Sequence, residues 1–214
     1  MDDAYFMAEL NERLFTHYTR GAWRAPHSQR LLAVGRNPDQ ALGKIACADP
    51  RDLARALAAF APATGAPPDT ATLLGALQAE APALERLRVM EGFGDICPAE
   101  LQPVTLEAPG KLVLLSAAAL PLARLVPLLI TGAQRGMIWK PAPGAAASAH
   151  LLMRHLGPLA AGRLAMVQGD HATGAALATM LPPDARLIWA STSPVPPDLP
   201  TCALRISTTD PARP

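Results

Sequence analysis

An α/β fold built on a parallel sheet is what this sequence predicts, and three observations carry the expectation. Four short runs between Lys111 and Ala190 are largely apolar, at 112–116, 136–140, 163–168 and 186–190. Between them lie segments of helical period, at 121–133, 144–156 and 171–180. Half of the 214 residues are apolar but only 4% are aromatic, so Ala, Leu and Val must fill a sizeable core. Continuous apolar strands are those buried on both faces, and a helix in each crossover makes neighbouring strands parallel. Right-handed crossovers then give a doubly wound, Rossmann-like sheet with helices on both faces.

The elements before that sheet form a smaller hairpin and helical layer. Residues 1–15 alternate acidic and apolar positions at helical spacing, with Tyr5, Phe6, Leu10 and Leu14 on one stripe, which predicts a short amphipathic helix. Residues 18–23 and 30–34 read as short strands around a polar turn. Asn37-Pro38 opens a second turn before a strand at 43–47. Asp49 is placed to cap the next helix, Pro50 suits its first position, and Asp52 favours its positive end. Leu53, Ala56, Leu57 and Phe60 supply that helix's buried stripe. A Pro/Ala/Gly linker follows at 61–69, then a second amphipathic helix over 71–90 that Pro82 should break or kink. Residues 92–103 have turn chemistry without a period. At the other end, 194–200 is a stiff Pro-rich linker, 201–206 a final strand, and 207–214 a tail. The expected division is 1–110 for the amino-terminal layer and 111–206 for the sheet domain.

Composition narrows the function classes. A net charge of +1, with no basic run interleaved with aromatics, argues against nucleic acid and anionic membranes as partners. The longest apolar stretch, 112–130, contains Pro121, Arg124 and Pro127 and begins as a strand, so a buried strand–turn–helix is expected rather than a membrane span. Asp2, Asp3 and Glu9 are wrong for a secretory signal, and the odd, widely spaced Cys47, Cys97 and Cys202 form no metal or redox pattern. Reduced thiols in a cytoplasmic protein are therefore expected. A catalytic cysteine needs a nearby base, and none of the three has a histidine close in sequence. His17, His27, His150, His155 and His171 are scattered, and His150 and His155 are poorly spaced to share a metal. The cysteines are expected to be inert and the histidines solvated.

The turns after the predicted strands carry the remaining information. They read Ser116-Ala117-Ala118-Ala119-Leu120-Pro121, Lys140-Pro141-Ala142-Pro143, Gly169-Asp170-His171-Ala172-Thr173-Gly174 and Trp189-Ala190-Ser191-Thr192-Ser193. The third follows a strand and opens a helix, where glycines let a ligand approach and free amides can hold a phosphate. Without a following lysine that glycine spacing is a weak signal. Asp170 either caps this helix or places a negative charge where a pyrophosphate would come.

In order and spacing these turns resemble the strand ends of the aldehyde dehydrogenase superfamily: Pro-Trp-Asn-Phe-Pro, Lys-Pro-Ser-Glu, a Gly-rich turn and Phe-Thr-Gly-Ser. The opening of the chain is similar to the family's Gly-x-Trp hairpin, Asn-Pro turn and acidic helix start, while the middle matches poorly. The resemblance covers the amino-terminal, cofactor-domain part of the family, whose nucleophilic cysteine and general base come later than the residues matched here. It implies that Ala119 stands where the family's asparagine donates to the developing oxyanion, and Ala118 where its tryptophan stands. Losing one such donor costs about a hundred- to a thousandfold in rate. Ala142 and Pro143 replace the serine and glutamate. Lys140 is kept, and it is either simply solvated or retained to hold a nucleotide ribose or phosphate. Lys140, Gly169, Gly174 and Thr192 are thus the vestigial cofactor-binding candidates, and no catalytic or metal-ligating residue is expected.

What the resemblance implies about function is a pseudo-enzyme with a degenerate cofactor site, a non-catalytic partner of a full-length aldehyde dehydrogenase or of a second copy of itself. Weak or no nicotinamide binding is expected, with NAD or NADP the cofactor if any is held. The alternative is an NAD(P)-linked aldehyde oxidoreductase component completed by a partner chain; a gene that has lost its function is a third possibility.

Overall fold

The structure is a computed structural model describing residues 13–35, 41–59, 66–101, 110–191, 193–197 and 199, and the backbone of 204–206. Its central sheet has the strand order β10-β9-β6-β7-β8-β2-β3, where β6 is Lys111–Ser116, β7 Met137–Pro141, β8 Leu164–Met166, β9 Ala185–Ala190 and β10 Leu204–Ile206. These five strands are mutually parallel. The predicted parallel core is present, displaced by no more than two residues at any strand end. Two short antiparallel strands, β2 (His17–Thr19) and β3 (Ala22–Arg24), extend the sheet beyond β8.

Alternation along each strand sends the two sets of side chains into two cores. On one face Leu112, Leu114, Met137, Trp139, Leu164, Met166 and Ile188 pack against α2 (Thr70–Gln78), α3 (Ala81–Met90), α4 (Leu122–Arg135) and α5 (Ala146–Leu159). On the other, Val113, Leu115, Ile138, Ala165, Val167 and Leu187 meet α1 (Pro50–Ala58) and α6 (His171–Thr179). The sheet is therefore covered on both faces, as continuous apolar runs require.

A second, three-stranded sheet stands beside it, in the order β1-β5-β4, from Leu14–Phe15, Ala41–Ala46 and Leu31–Gly35. Phe15, Val34, Leu42 and Ile45 pack there against Leu87 of α3 and Ala146 of α5. Two sequence readings are corrected here. Leu14 and Phe15 do not end a helix: they pair in parallel with Lys44 and Ile45, a long-range contact that overrides local helical period. Residues 18–23 are not one strand but a hairpin turned at Arg20 and Gly21, both with positive φ. Residues 1–12 of the predicted first helix, like Phe60, the linker core 61–65 and the tail, lie outside the described residues.

Local signals elsewhere hold. Asp49 caps α1 in a reciprocal box with Asp52, with Pro50 opening the helix. Pro82 separates α2 from α3, and it sits in the first turn of α3, where its missing N–H costs nothing. The hairpin is seated by a close approach: a Cβ on Gly157 of α5 would lie 2.6 Å from the Tyr18 ring.

Candidate functional site

Strand order reverses around β6, with β7 on one side and β9 on the other, and ligands of open α/β sheets bind outside the strand carboxyl ends at such a switch point. A cavity of about 340 Å³ lies there. Its walls come from the ends of β6 (Leu115, Ser116, Ala117), β7 (Lys140) and β9 (Trp189, Ser191), from α6 (His171, Gly174), and from Pro194, Pro196 and Leu199 beyond β9. The indole N–H of Trp189 donates to the carbonyl of Ser193 at 2.9 Å and holds the start of that Pro-rich segment beside the cavity.

Lys140 is largely buried rather than simply solvated, which corrects one of the two sequence readings. It is 6% exposed, beside Leu115 in register and one residue from Ser116, with the Cδ of its stem 3.8 Å from where a Cβ on Gly174 would be. Burial lowers its pKa to about 8, opposed by attraction to Asp170 and Cys47. Among the described residues its ammonium has no hydrogen-bond acceptor. Ser116 Oγ accepts from the buried Trp139 indole at 2.9 Å, which leaves its own proton to donate.

Gly169 serves its own turn. A Cβ there would stand 2.3 Å from Thr173 Oγ1, so the glycine lets the first turn of α6 fold back on itself. Asp170 caps that turn by accepting from the Thr173 amide at 3.0 Å. Its carboxylate is also engaged by both terminal nitrogens of Arg30, which holds it far below the usual carboxylate range. The charge expected to repel a pyrophosphate is therefore paired. Thr192 lies outside the described residues; its neighbour Ser191 accepts from the Ser193 amide at 3.1 Å.

The turn after β6 is pinned from behind. Arg88, 1% exposed at the end of α3, donates to the carbonyls of Ala118 at 3.0 Å and Leu120 at 3.2 Å, with Phe93 beneath the guanidinium. It pairs with Asp95 at 3.0 Å and Glu91 at 3.5 Å. Each carboxylate then holds a helix start. Asp95 accepts from the Leu122 amide of α4 at 2.6 Å, and Glu91 accepts from the Ser148 amide and hydroxyl of α5 at 2.9 and 2.6 Å. Burial pushes the Glu91 carboxyl up, against the stabilising bonds from Ser148. With Asp170 on α6, each helix that follows one of the strands β6, β7 and β8 has a carboxylate of this chain at its positive end.

Of these anchors only the Asp170 cap is legible in the sequence. Arg88 and Glu91 show only an ordinary i,i+3 pair, and Arg30 and Asp170 are 140 residues apart. The expectation of solvated histidines holds for the exposed His27 and His171 and is corrected for His17 and His150. His17 is fully buried, with Nδ1 accepting from the Gln168 amide at 3.1 Å, and His150 stacks on Trp23 at 4.2 Å between centroids. Cys47 and Cys97 are buried and neither lines the cavity; burial and Glu85 push the Cys97 thiol up. Cys202 lies outside the described residues. Among the described residues no cluster of three or more His, Cys, Asp and Glu could hold a metal, and no helix is long and apolar enough to cross a membrane.

No family model and no curated protein matches the sequence. Solved structures do match the fold. Delta-pyrroline-5-carboxylate dehydrogenase from Mycobacterium tuberculosis aligns with a TM-score of 0.68 at 19% identity, over 86% of this chain and 43% of that one. A further crystal structure of that enzyme is bound with NAD. The aldehyde dehydrogenase from Bartonella henselae aligns at 0.59 and 19%, over 84% of this chain and 47% of that one. Proline utilization A from Bdellovibrio bacteriovorus aligns at 0.67 and 17%, over 86% of this chain and 24% of its own length. This chain spans less than half the length of each, and over that span its fold is that of the aldehyde and pyrroline-5-carboxylate dehydrogenases.

Proposed function

We propose that this chain is a non-catalytic, aldehyde-dehydrogenase-like module that acts as the partner of a full-length aldehyde dehydrogenase or of a second copy of itself. The observation that carries this reading is the occupation of the helix starts. A dinucleotide fold binds its pyrophosphate on free amides at a helix N-terminus. Here Asp95, Glu91 and Asp170 take amides at the starts of α4, α5 and α6. The alanines at 118 and 119 add to it, because they offer a developing oxyanion no side-chain donor. On the partner side, Val89 and Ile96 are 61% and 71% exposed near the middle region that matches the family poorly, where a partner's apolar surface would find contact.

Two measurements test this. The purified chain should reduce neither NAD nor NADP with any aldehyde, and turnover lost on mutating Cys97 or Cys202 would overturn the reading. Co-expression with a full-length aldehyde dehydrogenase should yield a complex; failing that, light scattering should show a dimer of the chain itself. A monodisperse monomer that captures neither would remove the partner role. The alternative, a cofactor-holding component completed by another chain, draws on Lys140 at the switch point and on NAD in the M. tuberculosis enzyme.

A further inference from the structure

We propose that the cavity at the ends of β6, β7 and β9 binds one compact ligand with an apolar body and a single anionic head, a carboxylate or a phosphomonoester, held by Lys140. This goes beyond the reading above, which concerns catalysis and the dinucleotide. Size comes first. At about 340 Å³ the cavity is at the small end of the roughly 300–1,000 Å³ of ligand pockets. Pro194, Pro196 and Leu199 form one wall, and the Trp189–Ser193 bond fixes where that segment begins.

Polarity comes next. The walls are mainly Leu115, Ala117, Pro143, Ala175, Trp189 and Leu199, which suit an apolar body. Into them projects the ammonium of Lys140, a residue 6% exposed, with no acceptor among the described residues. A buried charge without a partner is costly, and an anion at that point would remove the cost. The chain's own nearest candidate, Asp170, is engaged by Arg30 and by the start of α6. Ser116, one residue past Lys140's partner in the register, points to the opposite face, where its Oγ accepts from the Trp139 indole, so Lys140 is the group that meets the anionic head. The charged or titratable groups around Lys140 are thus Asp170 with Arg30, Cys47 at the end of β5, and His171 on the cavity wall.

The test is calorimetry on the full chain with phenylacetate, phenyl phosphate, neutral phenylacetamide and NAD as separate titrants. At least one anion should bind about tenfold or more tightly than the amide. Whichever of the two binds more tightly identifies the head group. As the pH is raised from about 7 to about 9.5, through the Lys140 pKa of about 8, anion affinity should fall about tenfold or more. Cys47→Ser should keep that fall, and Lys140→Met should abolish both it and the preference for the anion. Equal affinity for anion and amide, no saturable binding, or a pH-independent anion affinity in the native chain would each overturn the proposal. The pH response needs no variant, so it decides the matter even if Lys140→Met fails to fold. NAD binding would count against the proposed function and leave this inference to the other titrants.

Discussion

Two buried cations, 52 residues apart in sequence, have opposite surroundings. Arg88 lies behind the turn that follows β6, engaged by two carboxylates, two carbonyls and an aromatic face. Lys140 lies in front of the same sheet edge and, among the described residues, has no hydrogen-bond acceptor. The contrast teaches where this chain keeps its buried polar groups. Around the β6 turn they hold turns and helix starts, whereas the cavity at the switch point has one ammonium, the His171 imidazole and three serines.

Replacing Arg88 is the largest way to break the comparison. Arg88→Met leaves Glu91 and the part-buried Asp95 without their cation and frees two carbonyls. Urea unfolding should show a loss of about 3–5 kcal/mol. A change within about 0.5 kcal/mol, as for ordinary surface substitutions, would show that the arginine anchors nothing.

A pH series sharpens the comparison on the amino-terminal side. Burial lowers the pKa of His17, against attraction from Asp52, and lowers that of His150 to about 4. Both folded values lie below the unfolded value of about 6.5, so only the unfolded chain takes up these protons as the pH first drops. The stability is therefore present above about pH 6.5 and lost progressively toward pH 4, by on the order of 2 kcal/mol for His150. His150→Phe, which keeps a ring on Trp23, should flatten part of that slope in urea melts run at pH 7.5 and 5.

Lys140→Met is the smallest effect and has the opposite sign. The folded pKa of about 8 lies below the unfolded value of 10.5, so the native chain carries a penalty that is full below pH 8 and fades as the pH rises toward 10.5. Removing the charge should raise stability at pH 7 by about 1–2 kcal/mol, with no gain at pH 10.5. Destabilisation at pH 7 would mean that the ammonium has a partner after all.

Much of the fold was legible because local and tertiary signals agree. The apolar runs at 112–116 and 186–190 are strands buried on both faces, Asp49-Pro50 is a cap that satisfies itself, and Pro82 ends a helix wherever it packs. Where a distant partner decides, the sequence was silent or misleading. Leu14 and Phe15 have helical spacing, yet they pair with Lys44 and Ile45. At the site, the alanines of the β6 turn could be read directly, since a missing donor is visible in one letter. The burial of Lys140 could not, because it depends on Gly174, on Leu115 and on a Pro-rich segment more than fifty residues later. The neutralisation of Asp170 by Arg30 likewise has no local trace.

The central claim is that carboxylates of this chain, taking an amide at the starts of α4, α5 and α6, disfavour a dinucleotide there. Isothermal titration of the purified chain with NAD and with NADP at pH 7.5 tests it most directly. The account predicts no saturable heat at submillimolar cofactor, in the native chain and in Lys140→Ala alike. A dissociation constant of micromolar order in the native chain, abolished by Lys140→Ala, would contradict it and establish the cofactor-holding alternative.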